Sequence, residues 1–191
     1  MSYVKFDIAK LERLNDPGRF DTLKPAAMWV ALGEPTPRTI VEIGAGTGLF
    51  SAAFSKRAPG ATVYAVDVEP VMIERMQKHR SEVASGRIVP VLAEETHVPL
   101  EDGVADLVVM INLHHELVDP AASYAEAYRL LAAGGQLLVV DWAHADTPKG
   151  PPLAVRATRQ QLEQYLSAAG FSRVAVHDVL DWHELLTAWR D

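Results

Sequence analysis

The stretch "VEIGAGTGLF", residues 41–50, runs from an apolar segment into three glycines within five positions. The segment that leads into it, Thr39–Ile43, is short and β-branched, which reads as a buried strand. Beyond it, Leu49, Phe50, Ala53 and Phe54 fall on one helical face. A bare backbone between a strand and a helix has two readings. Glycine tolerates positive φ and lets a ligand lie against the chain, with the free amides of the helix start pointing at it. The other reading is a tight strand-to-helix turn with no ligand.

Spacing narrows the first reading. A dinucleotide fingerprint is G-x-G-x-x-G, and here Leu49 stands where the third glycine belongs. The pattern is instead E-x-G-x-G-x-G, which weakens a pyrophosphate site. A Walker loop fails because no Gly-Lys-Ser/Thr follows.

Working outward, strands and helices alternate. Strand signals recur at 61–66, 88–92, 106–111 and 136–140. Met72, Met76, His79 and Val83 mark one helical face, and Tyr124, Tyr128 and Leu131 mark another helix, closed by Gly134-Gly135. Upstream, Ile8, Leu11 and Leu14 are at helical spacing, Asp16-Pro17-Gly18 is a turn, and Pro25 opens a helix through Leu32. Downstream, "TPKGPP" at 147–152 reads as a rigid surface link. Thr158 and Gln161 form a capping box for a helix ending at Gly170. Residues 171–179 and 182–189 read as a final strand pair, although "HELLTAW" in the second is equally good helix sequence. Strands apolar on both faces imply a largely parallel sheet with helices on both sides. The fold class is α/β, a Rossmann-like three-layer sandwich.

Composition sets outer limits. The 191 residues fit one domain, and 49% hydrophobic with 23% charged residues is ordinary globular composition. A net charge of -7 without a sustained basic stripe argues against nucleic acid. The longest apolar stretch, 104–113, is interrupted by Asp106 and falls short of the ~20 residues a membrane span needs. The first residues, "MSYVKFDIAKLERLND", mix charges throughout and lack the apolar core of a signal peptide. There is no cysteine, which excludes disulfides, thiolate metal sites and cysteine nucleophiles, and fits a cytoplasmic protein.

About 20 residues past the glycine loop, "VYAVDVEP" ends a strand with Asp67. Its carboxylate can accept both hydroxyls of a ribose, or cap the next helix ahead of Pro70. At the third strand end, Glu94 can accept from an adenine amino group or stand as a solvated acid, with Glu95 beside it. Val68 and Met72 can cover adenine faces or belong to the core.

In order along the chain, VEIGAGTG, YAVDVEPVMIERM, AEETHVPLEDGVADLVVMINLHHEL and RLLAAGGQLLVVDW resemble the class I S-adenosylmethionine-dependent methyltransferases. The likeness is to the small single-domain group that includes the ubiquinone and menaquinone biosynthesis enzymes. It covers residues 38–145 and continues more weakly through LEQYLSAAGF. The resemblance implies seven strands, the last antiparallel, and S-adenosyl-L-methionine as cofactor, released as S-adenosyl-L-homocysteine. It implies that Glu42, Gly44, Ala45, Gly46 and Gly48 lie at the methionine end of the cofactor and Asp67 at its ribose. Glu94 matches a position usually filled by aspartate. The family's arsenite-methylating branch works through cysteines, which this chain lacks. By analogy of fold, residues 1–38 form a helical N-terminal lid, 39–145 the cofactor-binding core and 146–191 closing elements on the substrate side. Tyr3, Phe6 and Phe20 are the lid's candidate contacts.

Methyl transfer from a sulfonium is an in-line displacement, so the protein must position an acceptor and exclude water. A base is needed only where the nucleophilic atom carries a proton. "MINLHHEL" at the fourth strand end offers Asn112, His114 and His115 facing the methyl group, with Asp141 or Glu116 to orient an imidazole. Each histidine has a core-packing alternative. NLHH departs from the Asn-Pro-Pro-aromatic motif of nitrogen-methylating relatives, which argues against amide or base nitrogens as acceptors. A zinc site fails, because Asp119 occupies the second histidine's place in H-E-x-x-H. Trp142 and His144 are further candidate pocket residues. Arg156 either binds an anionic substrate or solvates the surface.

The expected partner is therefore a small-molecule methyl acceptor. The oligomeric state is open, with a homodimer as one alternative. Two other functions compete: a non-catalytic module that binds S-adenosylmethionine, and a nicotinamide-dependent oxidoreductase, opposed by the glycine spacing and the lack of a Tyr-x-x-x-Lys dyad.

Overall fold

The computed structural model describes residues 11–191, so Tyr3, Phe6 and Ile8 lie outside the described residues. Three short helices open it: α1 (Leu11–Leu14), α2 (Arg19–Leu23) and α3 (Pro25–Ala31). The turn between α1 and α2 is held by the Asp16 side chain, which accepts from the Gly18 amide at 2.8 Å. Pro25 sits in the first turn of α3, where its missing N–H costs nothing.

Strands and helices then alternate: β1 (Thr39–Ile43), α4 (Leu49–Arg57), β2 (Thr62–Asp67), α5 (Pro70–His79), α6 (Ser81–Ala84), β3 (Ile88–Leu92), β4 (Ala105–Ile111), α7 (Pro120–Leu130), β5 (Leu131–Trp142), α8 (Arg159–Ala168), β6 (Ser172–Val176) and β7 (His183–Trp189). The seven strands are ordered β3-β2-β1-β4-β5-β7-β6, and β7 alone runs antiparallel to its neighbours. Helices α3, α4 and α5 pack on one face, around Phe54, Met28 and Met76. Helices α7 and α8 pack on the other, around Tyr124, Leu130 and Leu162. Burying each such leucine, methionine or phenylalanine side chain contributes about 1.5–3 kcal/mol. Among the described residues no helix is long and apolar enough to cross a membrane.

Two local readings of the sequence change in the fold. The helix expected to reach Gly134-Gly135 ends at Leu130, because Leu131 already pairs with Ala105 in the sheet. The chain then bulges through Gly134, at φ 77°, before Gln136 resumes pairing opposite Leu107. "HELLTAW" is a strand despite its helix formers. It lies between β5 and β6, and Leu185, Leu186 and Ala188 are buried. Packing between strands outweighs a propensity difference of a few tenths of a kcal/mol per residue. The capping box is present at α8, with Thr158 and Gln161 exchanging side-chain-to-backbone hydrogen bonds. His79, expected on the inner face of α5 with Met72 and Met76, is exposed in its last turn.

The strand order fixes where a ligand can sit. From β1 the chain moves outward to β3, then returns to the other side of β1 as β4. The crevice opens beyond the carboxyl ends of β1 and β4, where the direction of winding reverses.

Candidate active site

At that crevice lies a cavity of about 660 Å³. Its first half is built on β1, β2 and β3. Gly44, Ala45, Gly46 and Thr47 line it, and Gly44 and Gly46 have φ of 75° and 56°. The amides of Gly44 and Ala45 both donate to Val66 O, at 2.9 and 2.8 Å, which ties the loop to the end of β2. The glycines serve different ends. A Cβ on Gly44 would lie 2.6 Å from Leu113 Cδ1, so its bareness admits a neighbouring side chain. Gly48 does not line the cavity as expected. It precedes α4 in the left-handed conformation, and a Cβ there would lie 3.0 Å from Met76 Sδ. Gly46 alone faces largely open space.

Asp67 is buried at the end of β2 and lines the cavity. Its carboxylate accepts from the Gly46 amide at 2.7 Å and from the Glu69 amide at 3.0 Å. It thus holds the loop, bonds the residue ahead of α5, and lines the cavity. Burial pushes its carboxyl up, against the two amide bonds. Val68 and Met72 line the same end, Met72 buried. Glu94 and Glu95 stand exposed on the rim, and the Glu94 backbone pairs with His97.

Glu42, buried in β1, lines the cavity floor, and the Ser51 hydroxyl donates to its Oε2. Burial pushes its carboxyl up to about 7, against the Ser51 bond and the charge of Arg19. Arg19 reaches in from α2, its guanidinium 5.0 Å from the centre of the Phe50 ring and bonded to Leu14 O at 2.9 Å. Sequence reasoning missed Arg19. Nothing in its sequence surroundings marks it; it comes from a separate helix, and only in the fold does its charge act on Glu42. Phe20, expected in the lid, packs edge-on against Phe50 and is not among the residues lining the cavity.

The second half is built on β4, β5 and β7. Asn112 turns the chain at φ 53°, and its buried Oδ1 has no hydrogen-bond partner among the described residues. A short 3-10 turn, His114–Glu116, follows. It sends the two histidines in opposite directions. His114 leaves the cavity: its Nδ1 shares a 3.0 Å hydrogen bond with the Tyr124 hydroxyl, and its ring packs against Tyr124 and Tyr165. Burial pushes its imidazole down and Tyr124's hydroxyl up, as suits a neutral core pair.

His115 lines the cavity and donates from Nδ1 to Asp141 Oδ1 at 2.8 Å. Burial pushes its imidazole down, but the Asp141 bond and charge outweigh this and hold it above its ordinary value. Asp141 itself does not line the cavity; it is buried behind His115 and also accepts from the Trp142 amide at 2.8 Å. Such a carboxylate fixes the imidazole tautomer, and Nε2, on the other side of the ring, lies 3.7 Å from Glu116 Oε1.

Trp142 lines the cavity as expected, whereas His144 does not; its Nδ1 bonds Arg156 O at 2.7 Å. Arg156 is neither an anion site nor a surface residue. It is buried, and it donates to the carbonyls of Pro151, Ala143 and Ala145. These bonds fold the proline-rich link back, so that Lys149 to Pro152 line the cavity mouth. Asp119, in the failed zinc pattern, caps α7 by accepting from the Ala122 amide at 3.0 Å.

Comparison with known proteins agrees with this geometry. A family model described as "Methyltransferase domain" matches residues 41–139. The chain is 30% identical over 117 residues to a demethylmenaquinone methyltransferase of Thermus thermophilus, covering 61% of this chain and 52% of that protein. It is 31% identical over 191 residues to an uncharacterized methyltransferase of a Mycobacterium species, covering 88% of this chain and 73% of that protein. The chain spans about half the length of curated relatives such as the Thermus protein. Among solved structures, a SAM-dependent methyltransferase from Aquifex aeolicus superposes with a TM-score of 0.87 at 26% identity, covering 96% of this chain and 98% of that one.

Proposed function

Because this chain belongs to the methyltransferase domain family, we propose that it transfers a methyl group from S-adenosylmethionine to a small-molecule acceptor. The observation that carries the proposal is the two-ended cavity. The glycine loop and Asp67 stand at one end, and the His115–Asp141 pair stands at the other. Its size suits a nucleoside cofactor and a small acceptor together.

The residues present fit the cofactor. Glu42 and Arg19 line one floor and offer opposite charges to a zwitterionic amino-acid end. Asn112 Oδ1 offers an unused acceptor, and Asp67 keeps lone pairs for ribose hydroxyls beyond its two amide bonds. Val68 and Met72 supply apolar cover for an adenine, with Glu94 and Glu95 at its rim. When bound, S-adenosylmethionine supplies an activated methyl group that a nucleophile displaces in line. The chain's own part is to hold the acceptor within about 3–3.5 Å of that methyl and keep water out. Side chains between Arg13 and Leu23, and Lys149 to Pro152 of the link, line the cavity, which supports roles for these segments as lid and substrate-side elements. Where the acceptor atom carries a proton, Nε2 of His115 receives it, and Asp141 stabilises the imidazolium. The charge of -7 and the lack of cysteine support a cytoplasmic enzyme that acts on small molecules.

The test is calorimetry with S-adenosylmethionine, S-adenosylhomocysteine and NADH, followed by turnover on a panel of quinols, phenols and amines. The first two should bind and NADH should not. Binding of NADH alone would overturn the assignment; cofactor binding with no product on the whole panel would favour a non-catalytic module.

A further inference from the structure

The acceptor end of the cavity contains one imidazole that the chemistry above leaves unused. His183 opens β7, pairs across the sheet with Trp142, and stacks on its indole with 4.2 Å between ring centroids. It lines the same cavity as His115 and is 5% exposed. Among the described residues neither of its ring nitrogens has a hydrogen-bond partner. Other histidines packed on these elements each have a partner: His114 the Tyr124 hydroxyl at 3.0 Å, His115 Asp141 at 2.8 Å, His144 Arg156 O at 2.7 Å, and His177 the Thr187 hydroxyl at 2.8 Å. Leaving buried polar groups unpaired is costly, so packing alone gives no reason for histidine where leucine or phenylalanine would fill the space.

We propose that the His183 imidazole hydrogen-bonds a hydroxyl group of an uncharged methyl acceptor and seats it against Trp142 beside His115. This inference rests on the methyltransferase reading and names the acceptor class for that site. Burial pushes His183 down to about 4; Asp141 opposes the shift, while Arg19, His115 and Arg156 add to it. The ring is therefore neutral near pH 7, with one donor and one acceptor nitrogen. A hydroxyl can satisfy either. A carboxylate can satisfy only the donor, and would be desolvated close to Asp141 and Glu116. An ammonium would be desolvated close to Arg19 and Arg156, two groups that oppose a further positive charge. In the step served, the acceptor O–H gives its proton to Nε2 of His115. The oxygen's electron pair forms the new O–CH3 bond as the S–CH3 pair leaves with sulfur, yielding a methyl ether and a thioether.

The test uses the protein saturated with S-adenosylhomocysteine and three probes of similar size: phenol, benzoate and benzylammonium. Affinity is measured by titration, and histidine ring signals are followed by NMR. Phenol should bind tightest of the three and shift the His183 ring signals. His183→Phe, which keeps the stacking on Trp142, should weaken phenol by at least about tenfold. His183→Gln, which restores a hydrogen-bonding group, should recover part of that loss. In both variants S-adenosylhomocysteine should bind as in the wild type. Unchanged phenol affinity in both variants, or a preference for benzoate or benzylammonium, would overturn the proposal for His183 with the cofactor reading intact. Failure of S-adenosylhomocysteine to bind the wild-type protein would instead remove the reading on which it stands.

Discussion

The two ends of the cavity are made in different ways. The cofactor end is nearly continuous in sequence: residues 42–47 and 67–72 supply most of it, and backbone conformation shapes it. The acceptor end draws on His115, Trp142, Lys149 and His183, which come from separate elements and meet only in the folded chain. Local geometry leaves a mark in residue types, because positive φ selects glycine and a helix start selects proline or a capping acid. Assembly from distant side chains leaves no such mark. If this contrast holds, damage at the cofactor end should change binding and stability, and damage at the acceptor end should change turnover.

The largest expected effect is therefore on rate, at His115. For an acceptor that loses a proton, His115→Ala should lower kcat by about 10²–10⁴-fold. The wild-type rate should rise with pH through a value above 6.5, because Asp141 holds the imidazole above its ordinary range and the base must be neutral. In Asp141→Asn that limb should move to lower pH, since burial then dominates. A pH–rate profile from 6 to 9 tests both points, and an undiminished rate in His115→Ala would remove it as base. Cofactor affinity should be little changed in either variant, which keeps the two ends distinct.

Next in size is Asp67. Asp67→Ala should weaken S-adenosylhomocysteine by about 1–3 kcal/mol in calorimetry, because a buried charged acceptor is lost. Glu94→Ala on the exposed rim should cost less than about 1 kcal/mol. Equal losses would show that the burial of Asp67 does not set its contribution.

A comparable effect on stability is expected at Gly44. An alanine there must hold φ 75° with a Cβ 2.6 Å from Leu113, which should destabilise the fold by about 1–3 kcal/mol in urea denaturation. Gly46→Ala meets only Leu14 Cδ1, at 3.5 Å, and should cost less. If the two cost the same, backbone strain rather than the Leu113 contact sets the requirement.

The same contrast explains what could be read from the sequence. Thr39–Ile43 is a strand in both the reading and the structure, because a β-branched run followed by glycine has few alternatives. That Asp67 lines the cavity was legible from its position at the end of β2. The direction of His114 was not, since two adjacent histidines on a 3-10 turn carry no sign of which one meets Tyr124. "HELLTAW" was ambiguous for the same kind of reason: its strand state comes from β5 and β6, 40 or more positions of chain away in the case of Leu138 against Thr187. Arg156 misled because an arginine beyond a proline link usually solvates a surface, and here backbone carbonyls draw it inward. Arg19 and His183 became functional candidates only once burial and missing partners could be seen.

The smallest expected effect is a pH dependence at Glu42, and it links binding to stability. Its carboxyl sits at about 7 in the fold, against an ordinary value of 4.5. The folded state therefore binds the extra proton between those values, and this contribution to stability is present below about 4.5 and lost as pH rises through 7. A cofactor with a cationic end prefers the ionised carboxylate, so the sign for binding is reversed. Affinity for S-adenosylhomocysteine should rise from pH 5.5 to 7.5, by at most about tenfold per pH unit. Glu42→Gln should flatten that rise. It should also remove the matching fall in apoprotein stability, taken as the difference from wild type because His183, with its imidazole at about 4, contributes an opposing slope. Parallel slopes for binding and stability in the wild type would mean that the bound cofactor does not meet Glu42 with positive charge. The glycine loop would then hold the cofactor through its backbone, and Arg19 would need a partner other than a zwitterion to explain its place over Phe50.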